Sequence, residues 1–176
     1  MSYASFSTTS LFEYLPTRYQ ATCEHQRNRR EVYDFKDGYC SERVYNGLKD
    51  KILSIVNGNS GGWVIAFIPG STSLRTRIKY HNLAQRLAKD INVEVCEDAI
   101  VNTCDRQSTM VTGKVSNPTS TFSITTSRIF GKKVILIDDV ITSGSSFRNC
   151  ANRLMASGAT SVHGLFVART INPDWY

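Results

Sequence analysis

Two adjacent carboxylates, Asp138 and Asp139, follow the apolar run Val134-Ile135-Leu136-Ile137 and precede a small hydroxylated turn, Thr142-Ser143-Gly144-Ser145-Ser146. Successive backbone N–H groups from Ile141 to Ser146 can converge on one phosphate, helped by the four hydroxyls, and Gly144 allows close approach of the main chain. The paired acids cannot serve that phosphate, because like charges repel. They suit a sugar diol or a hydrated magnesium ion. A phosphate cradle with two acids about a sugar's length away describes a pocket for ribose 5-phosphate.

The elements that must position this chemistry are readable around it. The four apolar residues, three of them β-branched, predict a strand buried on both faces that ends at the acids. Phe147, Cys150, Ala151, Leu154 and Met155 lie on one helical stripe, and Gly158 stands where a glycine would end that helix. A second unit of the same kind begins at Trp63–Ile68, passes through Pro69-Gly70-Ser71-Thr72-Ser73, and continues into a stripe of Tyr80, Leu83, Ala84, Leu87, Ala88 and Ile91. Arg75 and Arg77 at its loop are expected on the same sheet edge as the acids, where two guanidinium forks would suit a diphosphate.

Further out, Ser41 or Glu42 opens a helix with Val44, Leu48, Ile52, Ile55 and Val56 on one side. Residues 92–101 alternate as a strand, and Ser161–Arg169 form another, with His163 as a sheet residue rather than a base. Thr103–Ser123 is long and polar and carries Arg106 and Lys114, as a lid or binding loop does. At the start of the chain, Leu11, Phe12, Tyr14 and Leu15 are expected to form an apolar turn closed by Pro16. The charged cluster His25–Glu31 is expected as a solvated face, and Tyr33–Gly38 as a turn. Alternating strands and helices imply parallel units, hence a three-layer α/β domain with a mostly parallel twisted sheet.

Composition bounds the function. A chain of 176 residues fits a single domain, here residues 1–176, with an N-terminal hood over 1–62 and a binding core over 63–170. No apolar run approaches a membrane span and no leader-like segment opens the chain, so a cytoplasmic protein with no membrane partner is expected. The five cysteines have no paired spacing and read as reduced thiols, and Cys23 with His25 makes no convincing metal pair. A net charge of +6 favours an anionic partner, either a phosphorylated metabolite or nucleic acid, without choosing between them.

The stretch VILIDDVITSGSS resembles the signature of the type I phosphoribosyltransferases, which bind 5-phosphoribosyl 1-diphosphate (PRPP). Residues from about Trp63 to Arg169 are most similar to the ComF (competence-associated) branch. There a first loop runs into a segment like Arg75-Thr76-Arg77-Ile78-Lys79-Tyr80-His81-Asn82, and Arg106-Gln107, Gly131-Lys132 and Ser157-Gly158-Ala159 also fit. The N-terminal CxxC zinc module of that branch is absent. The resemblance implies that Asp138 and Asp139 bind the ribose hydroxyls of magnesium-bound PRPP. It implies that Val140, Ile141, Thr142, Ser143, Gly144, Ser145 and Ser146 hold the 5′-phosphate. Gly70, Ser71, Arg75 and Arg77 would take the diphosphate, and the loop bearing Arg106 and Lys114 would close over the site. It further implies transfer of phosphoribosyl to an unidentified acceptor, and a homodimer is common among such proteins. Thr142 stands where purine-salvage members carry an Asp, which argues against a 6-oxopurine acceptor. The alternative is a non-catalytic PRPP-binding module, regulatory or associated with DNA uptake.

Overall fold

The computed structural model describes residues 6–103 and 122–173. Strand β1 (Ser7–Tyr14) is followed by helices α1 (Cys23–Lys36) and α2 (Glu42–Val56) and, after a 3₁₀ turn, by β2 (Trp63–Phe67). Then come α3 (Ser73–Asp90), β3 (Glu94–Val95), β4 (Ile100–Asn102), β5 (Phe122–Ile124), α4 (Thr126–Ile129), β6 (Lys133–Ile141), α5 (Ser145–Ala156) and β7 (Ser161–Thr170). Five strands form one sheet in the order β1-β7-β6-β2-β3, and every pairing in it is parallel. Strands β4 and β5 pair antiparallel in a separate ribbon.

The central position of β6 follows from its residues. Val134, Ile135, Leu136 and Ile137 have no exposed surface, and alternate ones enter opposite cores. Ile135 and Ile137 pack with Val44, Leu48 and Ile52 of α2 and with Tyr80, Leu83 and Leu87 of α3. Val134 and Leu136 pack with Phe147, Ala151 and Leu154 of α5. Each fully buried aliphatic side chain contributes roughly 1.5–3 kcal/mol. The result is a three-layer α/β fold with helices on both faces of the sheet.

Several expected elements form as read. Ser41 caps α2 by accepting from the Val44 N–H at 3.2 Å, and Gly158 ends the α5 segment at φ 100°. Four expectations are corrected. The apolar turn expected at residues 11–15 is instead strand through residue 14, the end of β1, an edge strand whose partner, β7, lies far along the chain (Ser7 opposite His163, Glu13 opposite Arg169). The charged cluster at residues 25–31 is not simply a solvated face. It belongs to α1, where Asn28 is buried and Arg29 donates to the carbonyls of Leu15, Pro16 and Tyr19 at 2.6, 2.6 and 3.0 Å. Helix α1 also takes in Tyr33–Lys36, leaving only Asp37 and Gly38 to turn. The strand expected over residues 92–101 splits into β3 and β4, because Asp98 accepts from the Cys96 thiol and its carbonyl from the Thr125 hydroxyl, which bends the chain between them.

The region before Trp63, expected as a hood, supplies the edge strand and two helices, and one of its side chains reaches the acids. His163 is a sheet residue, bonded between the hydroxyls of Ser7 and Thr9 at 2.8 Å each, and burial lowers its pKa. The described cysteines (Cys23, Cys40, Cys96, Cys150) are unbridged. Among the described residues, no helix is long and apolar enough to cross a membrane.

Candidate active site

Strand β6 does not stop at the acids. Its pairing with β7 continues through Asp138 opposite Phe166 to Ile141 opposite Arg169, so both carboxylates are held on rigid backbone at the carboxyl end of the sheet. The chain then turns through Thr142 and Ser143 into Gly144, the N-cap of α5, at φ 73° and ψ 10°. This left-handed conformation suits glycine. No side chain caps α5 at that residue, whereas Thr72 caps α3 by accepting from the Arg75 N–H at 3.1 Å. The Ser145 amide meets the Ser143 hydroxyl at 3.4 Å, a long contact that an anion arriving at this helix N-terminus can replace.

The loop encloses a cavity of ≈ 200 Å³ lined by Asp138 and by each residue from Val140 to Ser146. Beside it lies a second cavity of ≈ 330 Å³, lined by Gly70, Ser71, Lys79, Asp138, Asp139, Ser145 and Ser146 among others. Ile68, Asp138, Ser145 and Ser146 border both, so the two form adjoining halves of one site. The acids, the phosphate loop and the Gly70-Ser71 loop are brought together as the sequence suggests. Part of the hydroxyl set is committed within the protein. Thr142 pairs with Thr170 at 2.7 Å, and Ser143 with Ser145 at 2.9 Å.

Arg75 starts beside Gly70, where an added Cβ would stand 3.5 Å from Arg75 Cβ, but neither Arg75 nor Arg77 meets the acids. Both lie in the first two turns of α3 and are exposed, and neither lines the cavity holding the acids. Arg77 instead borders an apolar cavity of ≈ 230 Å³ with Phe67, Tyr80 and Ile100. The Gly70 amide is spent on the Thr76 hydroxyl at 2.9 Å, which fixes the loop. Arg106 and Lys114 lie outside the described residues.

The sequence reading missed the cations that do meet the acids. Lys79 Nζ lies 2.6 Å from Asp138 Oδ1 and 3.1 Å from Asp139 Oδ1, with only 11% of its side chain exposed. Lys36, from the last turn of α1, lies 3.3 Å from Asp139 Oδ2. Tyr80 Oη donates to Asp138 Oδ1 at 2.9 Å, as does the Asp139 backbone N–H at 2.8 Å. A signal was present: counting back by fours from Leu87 and Leu83 along the buried stripe of α3 reaches Lys79. A lysine at the open end of an apolar stripe points its head toward whatever ends the sheet.

These contacts divide the two acids. Burial pushes Asp138 up to about 6, opposed by Lys79 and reinforced by the charge of Asp139. Burial also raises Asp139, but Lys79, the bond to Asp138 and Lys36 outweigh it and hold it down to about 2. Burial would lower Lys79, yet the two acids keep it raised and protonated. Of the two acids, Asp138 is the one whose surroundings favour the protonated form.

The magnesium expected here arrives with PRPP and is held through ribose hydroxyls or water; an ion held directly by the protein would meet a poor donor set. Among the described residues no group of three or more His, Cys, Asp or Glu side chains could hold a metal ion. The two carboxylates present already face two ammonium groups. Like charges 4 Å apart repel by roughly 4 kcal/mol per unit pair near a protein surface, and a divalent ion doubles that. The site does not fit a metal held by protein groups.

The phosphate loop can be tested directly. A Cβ on Gly144 would lie 3.1 Å from Arg148 Nη1 in a conformation that L side chains rarely adopt. Gly144→Ala is expected to cost about 1–2 kcal/mol in urea unfolding.

No protein-family profile matches the chain. A protein of Lactococcus lactis subsp. lactis (strain IL1403) with the provisional name ribose-phosphate pyrophosphokinase 2 is 32% identical over 117 residues, which is 64% of this chain and 30% of that protein. A solved structure of the allosteric regulatory enzyme of purine biosynthesis aligns with a TM-score of 0.45 at 16% identity, over 77% of this chain and 30% of the other. The chain spans less than a third of the length of either protein that it resembles.

Proposed function

We propose that this chain binds PRPP and transfers its phosphoribosyl group to an acceptor, with release of diphosphate. The observation that carries this reading is the adjoining of two cavities at one sheet edge. One is a cradle of ≈ 200 Å³ at the N-terminus of α5, and the other is lined by the two acids and the Gly70-Ser71 loop. The relative's name refers to a ribose phosphate and a pyrophosphate, which are the two parts of that ligand.

In this reading the amides at the start of α5 take the 5′-phosphate, favoured by the helix dipole. The carboxylates of Asp138 and Asp139 accept from the ribose hydroxyls and stabilise positive charge as it develops at C1. The diphosphate lies toward Gly70 and Ser71, where Lys79 can meet it as charge accumulates on the leaving oxygens. No strong nucleophile is needed from the protein, because positioning and electrostatics carry most of such a step. The acceptor attacks C1 from the side facing away from the diphosphate.

Calorimetric titration of PRPP, followed by a diphosphate-release assay across candidate amines and bases, tests the proposal. The doubly substituted Asp138→Asn/Asp139→Asn protein is expected to bind PRPP about 100-fold more weakly, two decades at 1.4 kcal/mol each. Binding without release for any acceptor would favour a PRPP-binding module over an enzyme. Absence of PRPP binding by the folded wild type would end the proposal.

A further inference from the structure

Lys79 occupies the place between the acid pair and the Gly70-Ser71 loop. It contacts both carboxylates and lines the cavity that they share with that loop. We infer that Lys79 is the resident cation of this site, and that this ammonium, rather than a divalent metal, neutralises the acid pair when the sugar phosphate binds. The inference rests on the proposed PRPP reading and gives the acids a resident protein cation, distinct from the magnesium expected to arrive with PRPP.

Three observations support it. The ammonium is nearly buried and its position is fixed. Tyr80, the next residue, is fully enclosed and bonds the same Asp138 oxygen, and Ile78, the residue before, presents its carbonyl to Gly38 of the α1–α2 turn. A metal ion would have to displace a group whose helix is held from both sides. Charge is already balanced, since Asp138 and Asp139 face Lys79 and Lys36. Finally, an ammonium carries three donors. Asp138 and Asp139 take two of them, and because Lys79 lines the cavity shared with Gly70 and Ser71, an oxygen of a ligand there can reach the same ammonium.

Ribose 5-phosphate is the probe, because it lacks the diphosphate that carries a cation of its own. Wild-type protein is expected to bind it with the same affinity, within about threefold, in excess magnesium and in chelator. Lys79→Met is expected to bind it at least about tenfold more weakly in chelator and to recover when magnesium is added, since removal of the ammonium leaves two acids free to attract a divalent ion. Thermal unfolding with and without manganese gives a second readout: the ion should raise the midpoint of Lys79→Met and leave wild type unmoved. Wild-type affinity that falls tenfold or more in chelator would overturn the inference while leaving the PRPP reading intact. Unchanged affinity of folded Lys79→Met in chelator would overturn it as well, by reducing Lys79 to a packing role. Failure of wild type to bind either ribose 5-phosphate or PRPP, with or without magnesium, would remove the underlying reading and this inference with it.

Discussion

Lys79→Met should lower the stability of this protein by roughly 3–5 kcal/mol at neutral pH, the usual cost of removing one partner from a buried charge pair. The reason is the geometry at the end of β6. One ammonium touches both Asp138 and Asp139, and without it two adjacent carboxylates share a largely enclosed site in which, among the described residues, the half-exposed Lys36 is the remaining ion-pair partner. The pH dependence separates charge from packing. A raised lysine pKa means that Lys79 itself stays charged at pH 5 and at pH 8, and its contribution is lost through its own titration only in strong alkali. Asp138 behaves oppositely to an ordinary paired acid. Its folded pKa is raised to about 6, so between that value and the unfolded pKa near 4 the folded state holds the extra proton and stability rises as pH falls. In the variant a proton on Asp138 can take over part of the neutralisation. The gap between wild type and Lys79→Met, read from urea midpoints, should therefore be widest near pH 8 and narrow toward pH 5. An equal gap at both pH values would show that Lys79 matters for its methylenes and not for its charge.

Gly38→Val should be about as damaging, at roughly 2–6 kcal/mol from backbone strain plus overpacking. Gly38 has φ 89°, and a Cβ there would lie 2.3 Å from the carbonyl oxygen of Ile78. The obstacle is helix backbone, which cannot swing aside as a side-chain tip would. The contact also joins the end of α1 to α3 beside the two residues, Lys36 and Lys79, that reach the acid pair. The substitution should thus weaken ribose 5-phosphate as well as the fold. Gly58→Ala supplies the control. Gly58 has a similar φ of 79° with nothing within 4 Å of its added Cβ. It should cost only about 1 kcal/mol of conformational strain. Equal losses for the two variants would mean that close packing at Ile78 contributes nothing.

The sequence by itself determined the centre of this molecule. Four consecutive aliphatic residues before the acids can be satisfied only by a strand covered on both faces, and they form one. The stripe from Phe147 to Leu154 and the glycines at 144 and 158 specify a helix with a particular start and stop, because these signals are local and depend on steric rules within a few residues. The acids, the phosphate loop and the Gly70-Ser71 loop were legible together for the same reason, since each lies in or just beyond the carboxyl end of a strand and parallel strands end at a common edge.

Only the tertiary structure decided which cations meet the acids. Arg75 and Arg77 carry the more conspicuous charge pattern but lie in exposed turns of α3, whereas Lys79, one turn beyond Arg75, lies on the buried stripe. Lys36 comes from a helix more than a hundred residues upstream, placed by the packing of α1 on the sheet. Strand β1 was hidden likewise, because its hydrogen-bond partners lie in β7, and nothing in Ser7–Tyr14 announces a strand until that partner is beside it. Local patterning records which surface of an element is apolar. It does not record which distant surface covers it, and in this protein the charges at the site are set by that long-range packing.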